Sequence, residues 1–237
     1  MTPEDVARSL LDAFDDGLFQ TFYRLTWVKP ETVLKDVRGS GADIADLAGC
    51  GALPTEQLDG VADRYIRRAR RSAAISGISL GAGGWVGLPP GLGHLVVVIV
   101  RMAQRISLTY GFDYRTDRGE IELWKGLAAA TGANIDWEGT EAELMRRLPV
   151  VVTGTGTFSN PLLLKAFQAV VTRIAIASGM RVTRWVPVVG GGSGGVLNWL
   201  HVDSIGRRLK ETWRSQHALM GFDPTGAVEV EVLSSPT

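Results

Sequence analysis

Residues 72–100 read SAAISGISLGAGGWVGLPPGLGHLVVVIV, a run without Asp, Glu, Lys or Arg that lies between Arg71 and Arg101. A bilayer crossing takes about 20 apolar residues, and this run is longer. Its middle, Gly87-Leu88-Pro89-Pro90-Gly91, excludes one continuous helix, because proline lacks a backbone N–H and crowds the turn before it. The reading is two helices joined by a tight, uncharged turn. A second uncharged run, WVPVVGGGSGGVLNWLHV at 185–202, lies between Arg184 and Asp203 and again combines a Pro, a Gly cluster and an apolar helix. Two Gly/Pro-broken apolar hairpins, 72–108 and 167–213, therefore organise the expected fold. Their similar design reads either as an internal repeat or as two hairpins of like build packed together.

Outward from these hairpins the pattern stays helical. Thr2-Pro3-Glu4-Asp5 has the form of a helix start, and Val6, Leu10, Phe14, Leu18, Phe22 and Leu25 recur at helical spacing behind it. A less regular, Gly-containing stretch runs to Pro54. Pro54-Thr55-Glu56 then opens a helix on which Arg64, Arg67, Arg68 and Arg71 fall at i, i+3, i+4 and i+7, forming one basic stripe. From His94 to Leu108 the sequence is apolar on every side until Arg101, which predicts a central or membrane-buried helix stopped by Tyr110-Gly111-Phe112-Asp113. Asp117-Arg118-Gly119-Glu120 and Thr140-Glu141-Ala142-Glu143 have capping-box spacing and predict two short polar helices on the solvated side. Asn160-Pro161 caps a further long helix, and Leu197 to Trp213 marks the last. Only residues 227–233 alternate like a strand, which reads as a short terminal attachment. The expected class is all-α: one multi-helix domain over 1–220 and a C-terminal tail over 221–237.

Composition narrows the function. Lys plus Arg and Asp plus Glu both number 25, so the chain lacks the global basic field of a nucleic-acid binder, and no nucleic-acid partner is expected. The charge is nonetheless laid out in blocks, with 61–110 and 151–220 basic and the rest acidic. The basic blocks hold the uncharged runs. Glycine, at 29 of 237 residues, clusters in those runs, which predicts close backbone packing at Gly81, Gly84, Gly191 and Gly195. A single cysteine, Cys50, excludes an internal disulfide framework and fits a reducing compartment. The acidic, amphipathic start is unlike a signal peptide, so the expected location is cytoplasmic, with room for peripheral attachment at the inner face of the cell membrane.

Gly77-Ile78-Ser79-Leu80-Gly81-Ala82-Gly83-Gly84 with Leu88-Pro89, then Arg101, Arg105, Ile106 and Tyr110-Gly111-Phe112-Asp113, and later Val186-Pro187-Val188-Val189-Gly190-Gly191 with Asn198 carry a resemblance to the EcsC family. This bacterial family is named for a gene beside an ABC transporter. The resemblance spans about 60 to 215 and implies a helical fold with a loose association with membranes and transport, and no catalytic mechanism. His94 stands where the resemblance leads one to expect an acidic residue.

Several motifs carry chemistry on paper. Residues 190–195, GGGSGG, satisfy G-x-G-x-x-G, but a Gly run matches automatically and the fingerprint requires a preceding strand. They also satisfy G-x-S-x-G around Ser193, with Asp203 and His217 as the remaining members of a hydrolase triad; the alternating strands of that fold are missing. His94, His201 and His217 are the only histidines, and none has metal-ligand spacing with another. No catalytic residue, metal or cofactor is assigned, and whether the chain is an enzyme stays open. The site expected from sequence is a lipid- or anion-binding stripe of Arg64, Arg67, Arg68 and Arg71, with Trp85, Leu88, His94, Trp185, Asn198 and Trp199 as membrane or ligand contacts. The expected function is a non-enzymatic accessory protein attached to a membrane surface or a membrane-protein partner. The alternative is a soluble binder or enzyme, hydrolase-like or nucleotide-binding, for an apolar or anionic small ligand between the hairpins.

Overall fold

The computed structural model describes residues 22, 25–79, 90–135, 137, 161–177 and 190–219. Seven helices and no strand occur among the described residues, so the protein is all-α. They are α1 (Pro30–Arg38), α2 (Leu47–Gly51), α3 (Thr55–Ser79), α4 (Pro90–Thr109), α5 (Asp117–Thr131), α6 (Pro161–Ala177) and α7 (Gly190–Leu219). Most of the expected N-terminal helix, the hairpin tips at 80–89 and 178–189, the helix expected near 141–148 and the alternating stretch at 227–233 lie outside the described residues.

Helix α3 is the hub. Its longest contact is with α7, and α4 lies along its other flank. The paired residues rank in opposite order on the two helices each time: Ser72 meets His94 at 3.3 Å while Tyr65 meets Arg105, and Asp63 meets Lys210 at 2.9 Å while Arg70 meets Asp203 at 2.9 Å. Both partners therefore run antiparallel to α3. α5 packs between α6 and α7, α1 covers α4, and α6 lays its main contact on α5. The three long helices meet closely at Gly206, where an added Cβ would stand 2.9 Å from Ile66 Cγ1 and 3.0 Å from Met102 Sδ. Glycine at this crossing lets the backbones approach.

Helix α4 is central, and its apolar character belongs to the protein core. Leu95, Val96, Ile99, Val100, Met102, Ala103 and Ile106 are buried. The segment Leu92–Thr109 is long and apolar enough to cross a membrane, yet 72% of it is covered by the rest of the chain. Its stop is formed as the sequence predicts: Gly111 takes φ +87°, and Phe112 N–H donates to Ser107 O at 3.0 Å, closing a Schellman turn. The far end of α7 is pinned to this turn by buried His217, whose Nδ1 lies 3.1 Å from Tyr110 O and whose Nε2 lies 3.0 Å from Leu53 O.

Three expectations need correction. The irregular stretch before Pro54 contains α1 and α2. Pro30 suits the first turn of α1, which buries Val33, Leu34 and Val37, and the Asp46 side chain accepts from Gly49 N–H at 3.0 Å to cap α2. The glycines at 39 and 41 end a helix there and do not prevent one. Second, α5 is no solvated element: all its charges but Lys125 sit in the first two turns, whereas Leu123, Trp124, Leu127 and Ala128 are buried against α6 and α7. Its N-cap is Thr116, one residue before the expected box, with Oγ1 accepting from Gly119 N–H at 3.0 Å. Third, the break expected over 186–195 ends earlier, because 190–195 already form the first turns of α7. Glycine weakens a helix by roughly 1 kcal/mol per residue but does not forbid it, and here the run is continued by a long segment packed on α3.

Candidate functional site

Residues 61–110 contain seven arginines and one acid, Asp63. Asp63 accepts from Lys210 of α7 at 2.9 Å, so the seven guanidiniums must find partners elsewhere or stay unpaired. The flank of α3 that faces α7 is compensated. Arg70 pairs with Asp203 at 2.9 Å and lies over the Trp199 ring at 4.8 Å, Arg207 also pairs with Asp203 at 2.8 Å, and Arg214 pairs with Asp59 at 3.2 Å. Burial pushes the Asp203 carboxyl up, but hydrogen bonds from Arg207 and Arg70 outweigh it and hold the group below its usual range. An open cleft of about 190 Å³ lies here, lined by Asp63, Ile66, Arg67, Arg70, Asp203 and Arg207.

The flank facing α1 and α4 is different. Asp36 of α1 accepts from Tyr65 Oη at 2.7 Å and from Arg68 at 3.2 Å, and its backbone carbonyl accepts from Arg64 at 3.0 Å. Arg64, Arg67, Arg71, Arg101 and Arg105 form no ion pair among the described residues. Arg67, Arg71 and Arg101 are exposed, while Arg105 is half-buried with its guanidinium 5.5 Å from the centre of the Tyr65 ring. Arg68 stands 5.9 Å from the same ring. Burial depresses the Arg105 pKa and the nearby charges of Arg101 and Arg68 add to it, against the opposing pull of Tyr65 and Asp36. Burial and the bond to Asp36 push the Tyr65 phenol up, so it stays a neutral donor. The result is a face of guanidiniums at the base of the uncharged hairpin, with Asp36 as its carboxylate.

The sequence-predicted residues divide accordingly. Arg64, Arg67, Arg68 and Arg71 do share one side of α3, with Arg64 and Arg68 turned toward Asp36 and the other two outward. His94 sits between α3 and α4 opposite Ser72, and burial holds its pKa low. Asn198 and Trp199 are half-buried on α7, and Trp199 serves Arg70 on the flank away from the arginine face. Trp85, Leu88 and Trp185 lie outside the described residues. Sequence reasoning missed Asp36, Tyr65 and Arg70, and it used Arg101 and Arg105 only for resemblance. The i, i+4 spacing of Arg101 and Arg105 just past the uncharged run was the available signal for that pair.

The paper chemistry does not assemble. Residues 190–195 are helical, so neither the phosphate loop of a dinucleotide fingerprint nor a strand-to-helix elbow is present there. Ser193, Asp203 and His217 all lie on α7, with the last two separated by about 21 Å of helix, and His217 is held by two carbonyls. The Cys50 thiol is buried, and burial followed by the charge of Asp46 pushes it up to about 11, leaving it a poor nucleophile. Among the described residues no group of three or more His, Cys, Asp or Glu could hold a metal ion.

The fold and its arginine face thus define an all-α protein without an assembled catalytic constellation among the described residues. The sequence model of the EcsC protein family matches residues 1–215, and the chain belongs to that family. Comparison with curated proteins and with solved structures finds no match.

Proposed function

We propose that this protein is a non-enzymatic accessory factor that attaches to an anionic membrane surface, or to a membrane-protein partner, through the arginine face of the α3–α4 hairpin. The observation that carries this reading is the imbalance on that face, where exposed Arg71 and Arg101, and Arg67 at the edge it shares with the α7 cleft, lack carboxylate partners among the described residues. An exposed arginine near an anionic leaflet gains about 1 kcal/mol. Attachment is peripheral in this reading, because α4 has its apolar sides covered by the protein and offers little to lipid. The uncharged run beyond Arg71 and before Arg101 adjoins the basic face, which suits a headgroup-level collar. The test is co-sedimentation of the full chain with vesicles. Binding is expected with anionic but not neutral vesicles, it should weaken as salt rises, and Arg67→Gln with Arg71→Gln should lower it about tenfold or more, as two such contacts are lost. Equal binding to neutral and anionic vesicles would remove the arginine face from the function.

A further inference from the structure

We propose that Arg68, Arg101 and Arg105 form a recognition site for a dianionic phosphomonoester group where α3 and α4 meet beside Tyr65. The inference rests on the reading above, and it adds a specific ligand chemistry to a face so far argued only from charge. Arg68 and Arg105 come from different helices and approach one ring, at 5.9 and 5.5 Å from its centre. Arg101 lies one helical turn from Arg105 and acts on it as a like charge. Of these three guanidiniums only Arg68 pairs with the carboxylate of Asp36, which also accepts from Tyr65, while Arg101 and Arg105 form no ion pair among the described residues. Two positive charges are left over.

The hydrogen-bonding inventory points the same way. Arg105 Nε is buried and has no acceptor among the described residues, although a guanidinium is an obligate donor. Holding such a group half-buried among like charges is unfavourable for the empty protein, and an anion that accepts from it relieves both defects at once. A phosphomonoester carries about −1.5 to −2 charge near pH 7 and three acceptor oxygens, which matches two excess charges and several donors. A phosphodiester carries one charge and a carboxylate has two oxygens. Planar guanidiniums recognise phosphate through paired N–H bonds, a geometry that lysine does not reproduce. The ligand can be a monoester lipid headgroup or a free phosphate, and the two sources are separable.

The full chain is compared on phosphatidic acid vesicles, a monoester surface, and on phosphatidylglycerol vesicles of matched surface charge, a diester surface. In parallel, inorganic phosphate is titrated calorimetrically against chloride at constant ionic strength. A preference for phosphatidic acid of at least about tenfold, the equivalent of one charge-assisted hydrogen bond, is expected. Arg105→Gln should erase the preference, and Arg105→Lys should not restore it. If Arg105→Gln does not fold, Arg68→Gln carries the test, since that side chain is 58% exposed. Phosphate binding that is lost in these variants, without any vesicle binding, supports the site with a free ligand while removing the membrane reading. Equal binding to the two anionic surfaces together with no phosphate heat above chloride overturns the inference and leaves the charge-based reading standing.

Discussion

Gln104 is fully buried in α4, and neither its amide nitrogen nor its amide oxygen has a hydrogen-bond partner among the described residues. Desolvating an amide without compensation costs about 1–3 kcal/mol in mutational terms. Methionine has nearly the same length and no such requirement, so Gln104→Met should raise the unfolding free energy by roughly that amount. Equilibrium denaturation of the two proteins measures it. A loss of stability would mean that a buried water or ligand satisfies the amide, making Gln104 part of a site. The sequence shows Gln104 beside Arg105 near the end of an apolar helix, but not its burial or its lack of a partner. The same limit applies to the arginines: the stripe on α3 could be read from spacing, whereas the partners that neutralise Arg70 and leave Arg105 bare come from α7 and α1, far away along the chain.

Glycines in helices show where local reading succeeds and where packing overrules it. Replacing an exposed helical glycine by alanine normally gains up to about 1 kcal/mol. Gly60 on α3 has nothing within 4 Å of an added Cβ, so Gly60→Ala should stabilise the protein by about 0.5–1 kcal/mol. Gly119 on α5 carries the same local propensity, but the turn from Asp113 to Thr116 folds back over it and an added Cβ would overlap the Asp113 carbonyl oxygen. Backbone cannot step aside as a side chain can, so Gly119→Ala should lower stability by at least about 1 kcal/mol despite its better propensity. Thermal melts of the two variants should move in opposite directions; a rise in both would mean that the Asp113 turn is not held where it is. Helix starts at Pro30, Pro90 and Pro161 obey the proline rule. Of these, the first was passed over because the glycines behind it suggested a loop. The burial of α5 was unreadable for a related reason: its small apolar half, GLAAAT, becomes a core surface only once α6 and α7 are laid against it.

For the assembled bundle, two half-buried histidines, His94 between α3 and α4 and His201 near Arg208 on α7, set how stability depends on pH. Burial lowers the pKa of His94 between α3 and α4, with Ser72 opposing weakly, and burial with the charge of Arg208 lowers that of His201 on α7. Both groups therefore bind protons more readily in the unfolded chain than in the folded one. Stability from this source is fully present above the unfolded value near 6.5 and is lost as pH falls through it toward the lower folded values. Asp113 and Asp203 act in a separate, more acidic window, since their folded pKa values lie below 3.8 and their contribution disappears only as pH falls beneath that. Between pH 5 and 8 the histidines should therefore dominate the slope among the groups with perturbed titration. Thermal melts at fixed ionic strength should show the midpoint rising from pH 5 and levelling above about 7.5, one unit past the unfolded histidine value. In a His94→Gln, His201→Gln double variant the rise should be largely flattened. Both proteins keep His217 and every carboxylate, so the difference between their curves isolates the two half-buried rings. A wild-type midpoint that is flat or falls with rising pH, with the double variant parallel to it, would show that neither ring is held neutral in the packed bundle.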